Sequence, residues 1–575
     1  MKFLFRYLKP YLGAMSVGLV IKTIGTLVEL VLPYILSYIL DEIVPNDGRL
    51  TTIILWGCVM VFCALVALIC NVKANRMASK VARDTTERVR HDLFARILTL
   101  SGRQIDAFTI PSLESRVTTD TYNVHSFTDR IQRLGVRAPL LLLGGIVVTL
   151  IMDSFLSLVM LAALPLIFVV VYFVSAYGVK LYTRVQKSVD GMIRVVREDS
   201  QGIRVIKALS KDKAEHQRYD RVNRNLVRDE KRASLTMGVV NPVMNLIMNL
   251  GITFVVLVGA YRVMGNQTEP GKIVAFTQYF TMISTATLSI TRIFMMYTKC
   301  SASCRRIQEV VDAEQDLTVQ SEQDCTPHSG DAYITFEHVN FSYNKSRDTL
   351  KDISFSVRRG QTLGIIGATG SGKSTLIALL MRMYDVDSGA VFIDGRDVRT
   401  YRKAELNALF GVAMQNDFLY SDTIEENIRF GRELSHEQIV HAATVAQAND
   451  FISAFPEGYG HMLSQKATNI SGGQKQRLLI SRALAANPDI LILDDSSSAL
   501  DYKTDANLRS AIAKEMRDTT LVVVAQRVSS VMNSDLILVL DEGEIIGSGS
   551  HTELLQSCPV YREISDSQMG GAFVE

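Results

Sequence analysis

The chain has 575 residues, 48% of them hydrophobic and 21% charged, with seven Cys and a net charge of +2. Its mean hydropathy is +0.16. This excludes a disordered chain, which needs low hydrophobicity and high net charge, a small disulfide-stapled domain, and a nucleic-acid binder with its basic excess.

The first ten residues carry Lys2, Arg6 and Lys9 among aromatics. That mix suits a short helix lying at the inner membrane surface. It is not a signal peptide, because the next apolar run is too long for an h-region. Spanning a bilayer takes ~20 mostly apolar residues in a helix. Six such stretches occur before residue 300, at 12–39, 53–72, 135–152, 154–178, 243–264 and 273–296, and none after 305. Lys and Arg favour the cytoplasmic side of a membrane. Eleven fall in 73–133 and fifteen in 180–232, against one in 40–52 and one in 265–272. Both long connections and both termini are therefore expected in the cytoplasm. Each long connection has helical spacing, and as two helices of ~25–30 residues it would protrude roughly 40 Å.

Two spans carry polar groups. Lys22 and Glu29 are seven apart on one helix face, and intramembrane charges face a cavity or a partner. The sixth span holds Thr277, Gln278, Thr281, Ser284, Thr285, Thr287, Ser289 and Thr291, a face suited to lining a polar cavity or gluing helices. Cys58, Cys63 and Cys70 lie in the second span, and Cys300 and Cys304 one turn apart beyond the sixth. None has zinc-site spacing.

From about 306 to 330 the periodicity fades, as in a linker. Beyond it, β-branched strands alternate with helices, the pattern of an α/β domain. The strand TLGIIG runs into Gly367, Ala368, Thr369, Gly370, Ser371, Gly372, Lys373 and Ser374, with Thr375 opening an apolar helix. This GxxxxGKS loop curls backbone N–H groups around phosphates at a helix N-terminus. Lys373 can reach the β/γ-phosphates, and Ser374 can ligate Mg²⁺. Further on, an apolar strand ends in Asp494, a carboxylate placed for Mg²⁺ handling. Between them, Ser471, Gly472, Gly473 and Gln474 precede another helix.

The ordered set of GxxxxGKS, Gln415 in VAMQND, ISGGQKQR, LILDD and SALD resembles the nucleotide-binding domain of ABC transporters. With six spans and long cytoplasmic arms ahead of it, the chain resembles an ABC exporter half-transporter of the type IV fold. The implied fold is a membrane all-α domain of six helices (1–305), a linker (306–330) and a cytoplasmic α/β P-loop nucleotide-binding domain (331–575). The resemblance further implies that Tyr343 stacks on adenine and that Gln415 senses Mg²⁺ and the γ-phosphate. It implies that 471–474 close over ATP held by a second subunit and that Asp501 ends the D-loop. Coupling helices are expected near 112–120 and 201–207.

Three positions depart from that pattern. The hydrolytic Glu after Asp494 is replaced by Asp495, the switch His by Gln526, and the Glu before the signature by Gln465. ATP binding should survive while hydrolysis at this site is slow. The reading is a degenerate-site subunit of a heterodimeric multidrug-type exporter, whose partner subunit supplies the catalytic Glu and switch His. It moves an amphipathic compound (drug-like, lipid or peptide) across the bilayer of a bacterial inner membrane. The alternatives are a homodimer with two slow sites, or an ATP-binding regulatory membrane protein.

Overall fold

The computed structural model describes residues 1–575 except 47, 322–329, 344, 346–347, 416–417, 497–499 and 570–575. Several side chains between 163 and 179, and those of 240, 241 and 291, also lie outside the description. Much of the expected linker, Ser498 and Ala499 of SALD, and the side chain of Thr291 therefore fall outside the described residues. The chain divides into two compact units: Met1–Thr99 with Ile110–Ala313, and Leu100–Thr109 with Glu314–Glu575.

The first unit is helical. Among the described residues five helical stretches are long and apolar enough to cross a membrane: Lys2–Asn46, Leu50–Ile97, Ile110–Met152, Asp212–Met264 and Pro270–Val311. They take in five of the six expected spans. The other, 154–178, lies within the continuous helix Ser154–Ala208. The long arms continue these helices, so Leu50–Ile97 runs for 48 residues and Ser154–Ala208 for 55. The last helix reaches Val311, with Ile307 and Val310 fully buried. The linker thus starts later than the fading periodicity suggests, because two apolar residues at i, i+3 still anchor the final turns.

The helix Leu12–Tyr38 has two contrasting faces. Val17, Val20, Ile24, Leu27, Val31 and Tyr34 are exposed, while Lys22, Thr26, Leu30 and Pro33 are buried. Aliphatic groups outward and polar groups inward is the inverse of a water-soluble helix and the pattern that hydrocarbon solvent selects. Lys22 Nζ donates to Asn71 Oδ1 at 2.7 Å and to Asn75 Oδ1 at 3.1 Å. Glu29 pairs with Arg137 at 2.7 Å. Both intramembrane charges are therefore used in joining helices. The sixth-span face divides similarly. Ala275, Phe276, Tyr279, Phe280 and Ile283 are fully buried, and Tyr279 Oη donates to Leu30 O at 2.6 Å. Gln278, Thr281 and Thr285 are exposed, the two threonines donating to carbonyls one turn back on their own helix. Fully buried Asp120 accepts from Ser303 Oγ at 2.7 Å and from Arg306.

The second unit holds two sheets. One is antiparallel, in the order β2 (Leu350–Val357), β1 (Ile334–Phe341), β4 (Ser388–Ile393), β5 (Arg396–Asp397). The other runs β10 (Glu544–Gly549), β9 (Leu536–Asp541), β3 (Thr362–Gly367), β8 (Thr520–Ala525), β7 (Ile490–Asp494), β6 (Phe410–Ala413). Within it β9, β3, β8, β7 and β6 are parallel. Strands covered on both faces read as continuous apolar runs, and every residue of β7 is buried. Ligand sites in such sheets lie beyond the carboxyl ends of the strands. Here the ends of β3, β7 and β8 bring Gly367, Asp494 and Ala525 to one edge.

Residues 100–109 belong to this second unit although they lie between two helices of the first. They form the helix Gly102–Phe108, whose N-cap Ser101 makes a reciprocal capping box with Gln104. Ser101 Oγ also donates to Asp316 Oδ2 at 2.6 Å. The 112–120 segment, expected to carry the first coupling helix, instead forms Ile110–Ser115 and a π-turn at Arg116–Asp120 in the first unit. The cap at Ser101 is the local signal that marks the shorter helix. The 201–207 segment ends the helix Ser154–Ala208, ahead of Asp212–Gly238.

Candidate functional site

The loop after β3 is shaped by its glycines. Gly370 and Gly372 have φ of +88° and +103°, left-handed values that side chains resist. At Gly367 a Cβ would lie 2.1 Å from Leu540 O, so the strand end admits no side chain. Gly372 caps the helix Lys373–Leu380, directing its free N–H groups into the loop. Lys373 Nζ donates to Gly367 O at 2.8 Å and Ala368 O at 2.7 Å. Burial lowers its ammonium below the ordinary value, opposed by Asp494 and Asp495. Ser371 Oγ is buried with no partner among the described residues. A cation and an orphaned hydroxyl in a cradle of N–H groups fit a polyphosphate.

Ser374 Oγ donates to Asp494 Oδ2 at 3.2 Å. Burial raises the Asp494 carboxyl above its ordinary value. A hydroxyl beside a buried carboxylate is a hard-oxygen donor pair fitted to Mg²⁺. Asp495 follows in a left-handed conformation at φ 48°. Its Oδ2 accepts from Gln415 Nε2 at 3.1 Å and from Gln526 Nε2 at 3.4 Å. Burial raises this carboxyl too, with Arg527 the largest opposing influence. Thr369, Gly370, Lys373, Ser374, Gln415, Asp494, Asp495 and Gln526 all line one cavity of about 320 Å³.

Tyr343 stands beside the cavity, its Oη donating to Thr375 Oγ1 at 3.2 Å. The residue is 39% exposed. The signature residues are elsewhere. Ser471 caps the helix Gly472–Leu484 and shares a capping box with Gln474. Ser471 and Gly472 are exposed, and none of 471–474 lines the Walker cavity. Asp501 caps Tyr502–Glu515, accepting from Thr504 N at 2.9 Å, and these bonds lower its carboxyl below the ordinary value. Gln465 is exposed on a 3-10 turn.

Three participants escape the motif reading. Thr349 lines the cavity. Arg527 bears electrostatically on Asp495. Gln568 holds the switch loop, donating to Gln526 O at 2.9 Å and accepting from Val528 N at 2.8 Å. Arg527 is adjacent to the switch residue in sequence. Gln568 lies 42 residues on, and no spacing rule announces it.

Comparisons with known proteins agree with this geometry. Residues 15–287 match the ABC transporter transmembrane region, and residues 350–498 match the ABC transporter family. The chain is 34% identical over 567 residues to YfiB, an uncharacterized ABC transporter ATP-binding protein of Bacillus subtilis (strain 168), covering 98% of each. It is 31% identical to Rv1273c, an uncharacterized ABC transporter ATP-binding protein of Mycobacterium tuberculosis, covering 99% of this chain and 98% of that one. The solved structure of a bacterial Atm1-family ABC exporter with ATP bound superposes with a TM-score of 0.80 at 24% identity, over 98% of each chain. The fold is thus that of an exporter half, and the chain belongs to the ABC transporter family, with a helical transmembrane domain followed by an α/β ATP-binding domain.

Proposed function

We propose that the chain is one subunit of a heterodimeric, ATP-driven exporter of amphipathic compounds, whose own Walker cavity binds ATP and hydrolyses it poorly. The observation that carries this is Asp495. A hydrolytic carboxylate must reach the attacking water within ~2.6–3.2 Å. Asp is one methylene shorter than Glu, about 1.5 Å of reach, and a misplacement of about 1 Å costs on the order of 10²-fold. The side-chain amides of Gln415 and Gln526 share its Oδ2, which ties up one of its two carboxylate oxygens. Gln526 also lacks the protonation change available to His.

In this reading the 367–375 loop and Lys373 bind the phosphates. Ser374, Gln415 and Asp494 would hold Mg²⁺, which would neutralise phosphate charge. Tyr343 takes the adenine. Ser471, Gly472, Gly473 and Gln474 serve the ATP of the partner subunit, which supplies the Glu and His absent here. Closure of the paired domains on ATP shifts the transmembrane helices between inward and outward states. The exposed Gln278, Thr281 and Thr285 support a polar pathway on the last transmembrane helix, since lipid would select aliphatic groups there. The basic connections support a bacterial inner-membrane setting with both termini and the nucleotide-binding domain in the cytoplasm.

The test is the ATPase activity of the full chain purified without a partner and reconstituted in lipid. Slow turnover, unchanged by Asp495→Asn, is expected. Brisk turnover that Asp495→Asn abolishes would overturn the reading in favour of a self-sufficient homodimer.

A further inference from the structure

Tyr343, Phe341 and Tyr384 form a cluster of rings between the Walker cavity and the helix Gly102–Phe108. Tyr343 meets Tyr384 edge-to-face, with centroids 5.2 Å apart and planes at 89°. Both rings lean on Phe341, at 5.0 and 5.6 Å, and Phe341 is fully buried at the end of β1. One face of the cluster is thus fixed to the sheet. On the opposite side Tyr384 Oη donates to Asp106 Oδ2 at 2.8 Å. A Cβ on Gly102 would lie 2.7 Å from Tyr384 Cζ, so the helix rests on the ring with no slack. Further bonds tie the helix start to the 314–316 segment, with Gln104 Nε2 donating to Glu314 O at 2.6 Å and Ser101 Oγ to Asp316.

We infer that Tyr384 is a positioning residue that couples the base-contacting ring of Tyr343 to the helix Gly102–Phe108. The inference rests on the assignment of Tyr343 to adenine. Among the described residues Tyr343 is held by the Thr375 hydroxyl and by the rings of Phe341 and Tyr384. A base laid on its exposed face restricts the ring's rotation. Because packed aromatic contacts have discrete arrangements, that restriction is felt at Tyr384 and, through its hydroxyl, at Asp106. Burial and the Asp106 carboxylate both push the Tyr384 phenol up from its ordinary value, so the hydroxyl remains a proton donor to Asp106 at neutral pH. The route starts at the base and leaves the phosphates out.

That separation defines the experiment. Amide hydrogen exchange of residues 102–108 is followed in the full-length protein with Mg·ATP, with Mg·tripolyphosphate and without either. ATP is expected to slow exchange there by about threefold and tripolyphosphate to leave it within error, although both protect the phosphate loop. Tyr384→Phe keeps the ring and removes the hydroxyl, and Asp106→Asn alters the acceptor. Each should abolish the ATP effect on 102–108, and by reciprocity weaken ATP binding by the same factor of about three. A bond of merely structural importance would instead raise exchange equally with and without ATP. Equal effects of ATP and tripolyphosphate, or an ATP effect that survives both variants, would overturn the inference. Tyr343→Ala separates it from the assignment beneath it. If that change leaves ATP affinity intact, the adenine assignment fails and the coupling with it. If it weakens ATP binding while Tyr384→Phe leaves the 102–108 response intact, only the coupling fails.

Discussion

At the signature helix of the second unit, Ser471 and Gln474 satisfy each other's backbone donors in a complete capping box, and Ser471 and Gly472 stand exposed. At the Walker cavity the phosphate cradle is equally complete, yet the carboxylate next to it is short and shared by two glutamine amides. In the proposed reading the first region acts on a ligand held by a second subunit, and the other holds a ligand but directs water poorly. Binding and chemistry are thus separable at the level of single side chains, since phosphate contacts come from backbone and Lys373 while water positioning depends on the reach of one residue.

The comparison breaks most readily through the partner subunit. Replacing the partner's catalytic Glu by Gln should lower ATPase activity of the assembled pair by roughly 10²-fold or more, while Asp495→Asn changes it less than about twofold. Equal losses in steady-state phosphate release would remove the asymmetry. Lys373→Ala should weaken ATP binding to this chain by about 10- to 100-fold, the scale of a charge-assisted hydrogen bond, measured by equilibrium binding of a fluorescent ATP analogue. Ser471→Ala removes a helix cap at a cost of about 1 kcal/mol. It should lower the pair's ATPase by roughly five- to tenfold through the partner's site and leave ATP affinity at this chain's own cavity unchanged.

The smallest effect concerns pH. Burial raises the folded Asp494 carboxyl above its ordinary value of 3.8, so the folded state binds more protons than the unfolded one in that window. Its contribution to stability therefore falls as pH rises from 3.8 through the folded value, and is undiminished below. Thermal unfolding across about pH 4 to 7 should show a flatter decline for Asp494→Asn than for the unaltered protein. Mg·ATP should flatten the decline as well.

Much of this was legible in the residues. GxxxxGKS predicts a loop between a strand and an apolar helix, and the structure has it between β3 and the helix Lys373–Leu380, with Gly370 and Gly372 left-handed. The helical membrane unit followed from uncharged runs such as 53–72, because hydrocarbon leaves little choice of side chain. Other features depend on packing that a linear pattern cannot express. The helix Gly102–Phe108 joins the second unit because Gly102 leaves room for Tyr384, a contact between positions 282 apart in a sequence that shows only short polar spacing there. Lys22 and Glu29 share a face, as their spacing predicts, yet each bonds to a different helix. The extension of the last helix to Val311 depends on burial of Ile307 and Val310, which polar neighbours mask.

The two bonds from Gln568 have an engineering consequence. They staple the backbone on either side of Arg527, so the strand tip that presents position 526 has a fixed origin. In the proposed reading a gain of hydrolytic competence would come from side-chain length measured from that origin, which makes positions 495 and 526 a matched set to be altered together. Removing the terminal helix Pro559–Met569 would unfasten the origin itself, turning a defined gap into a variable one.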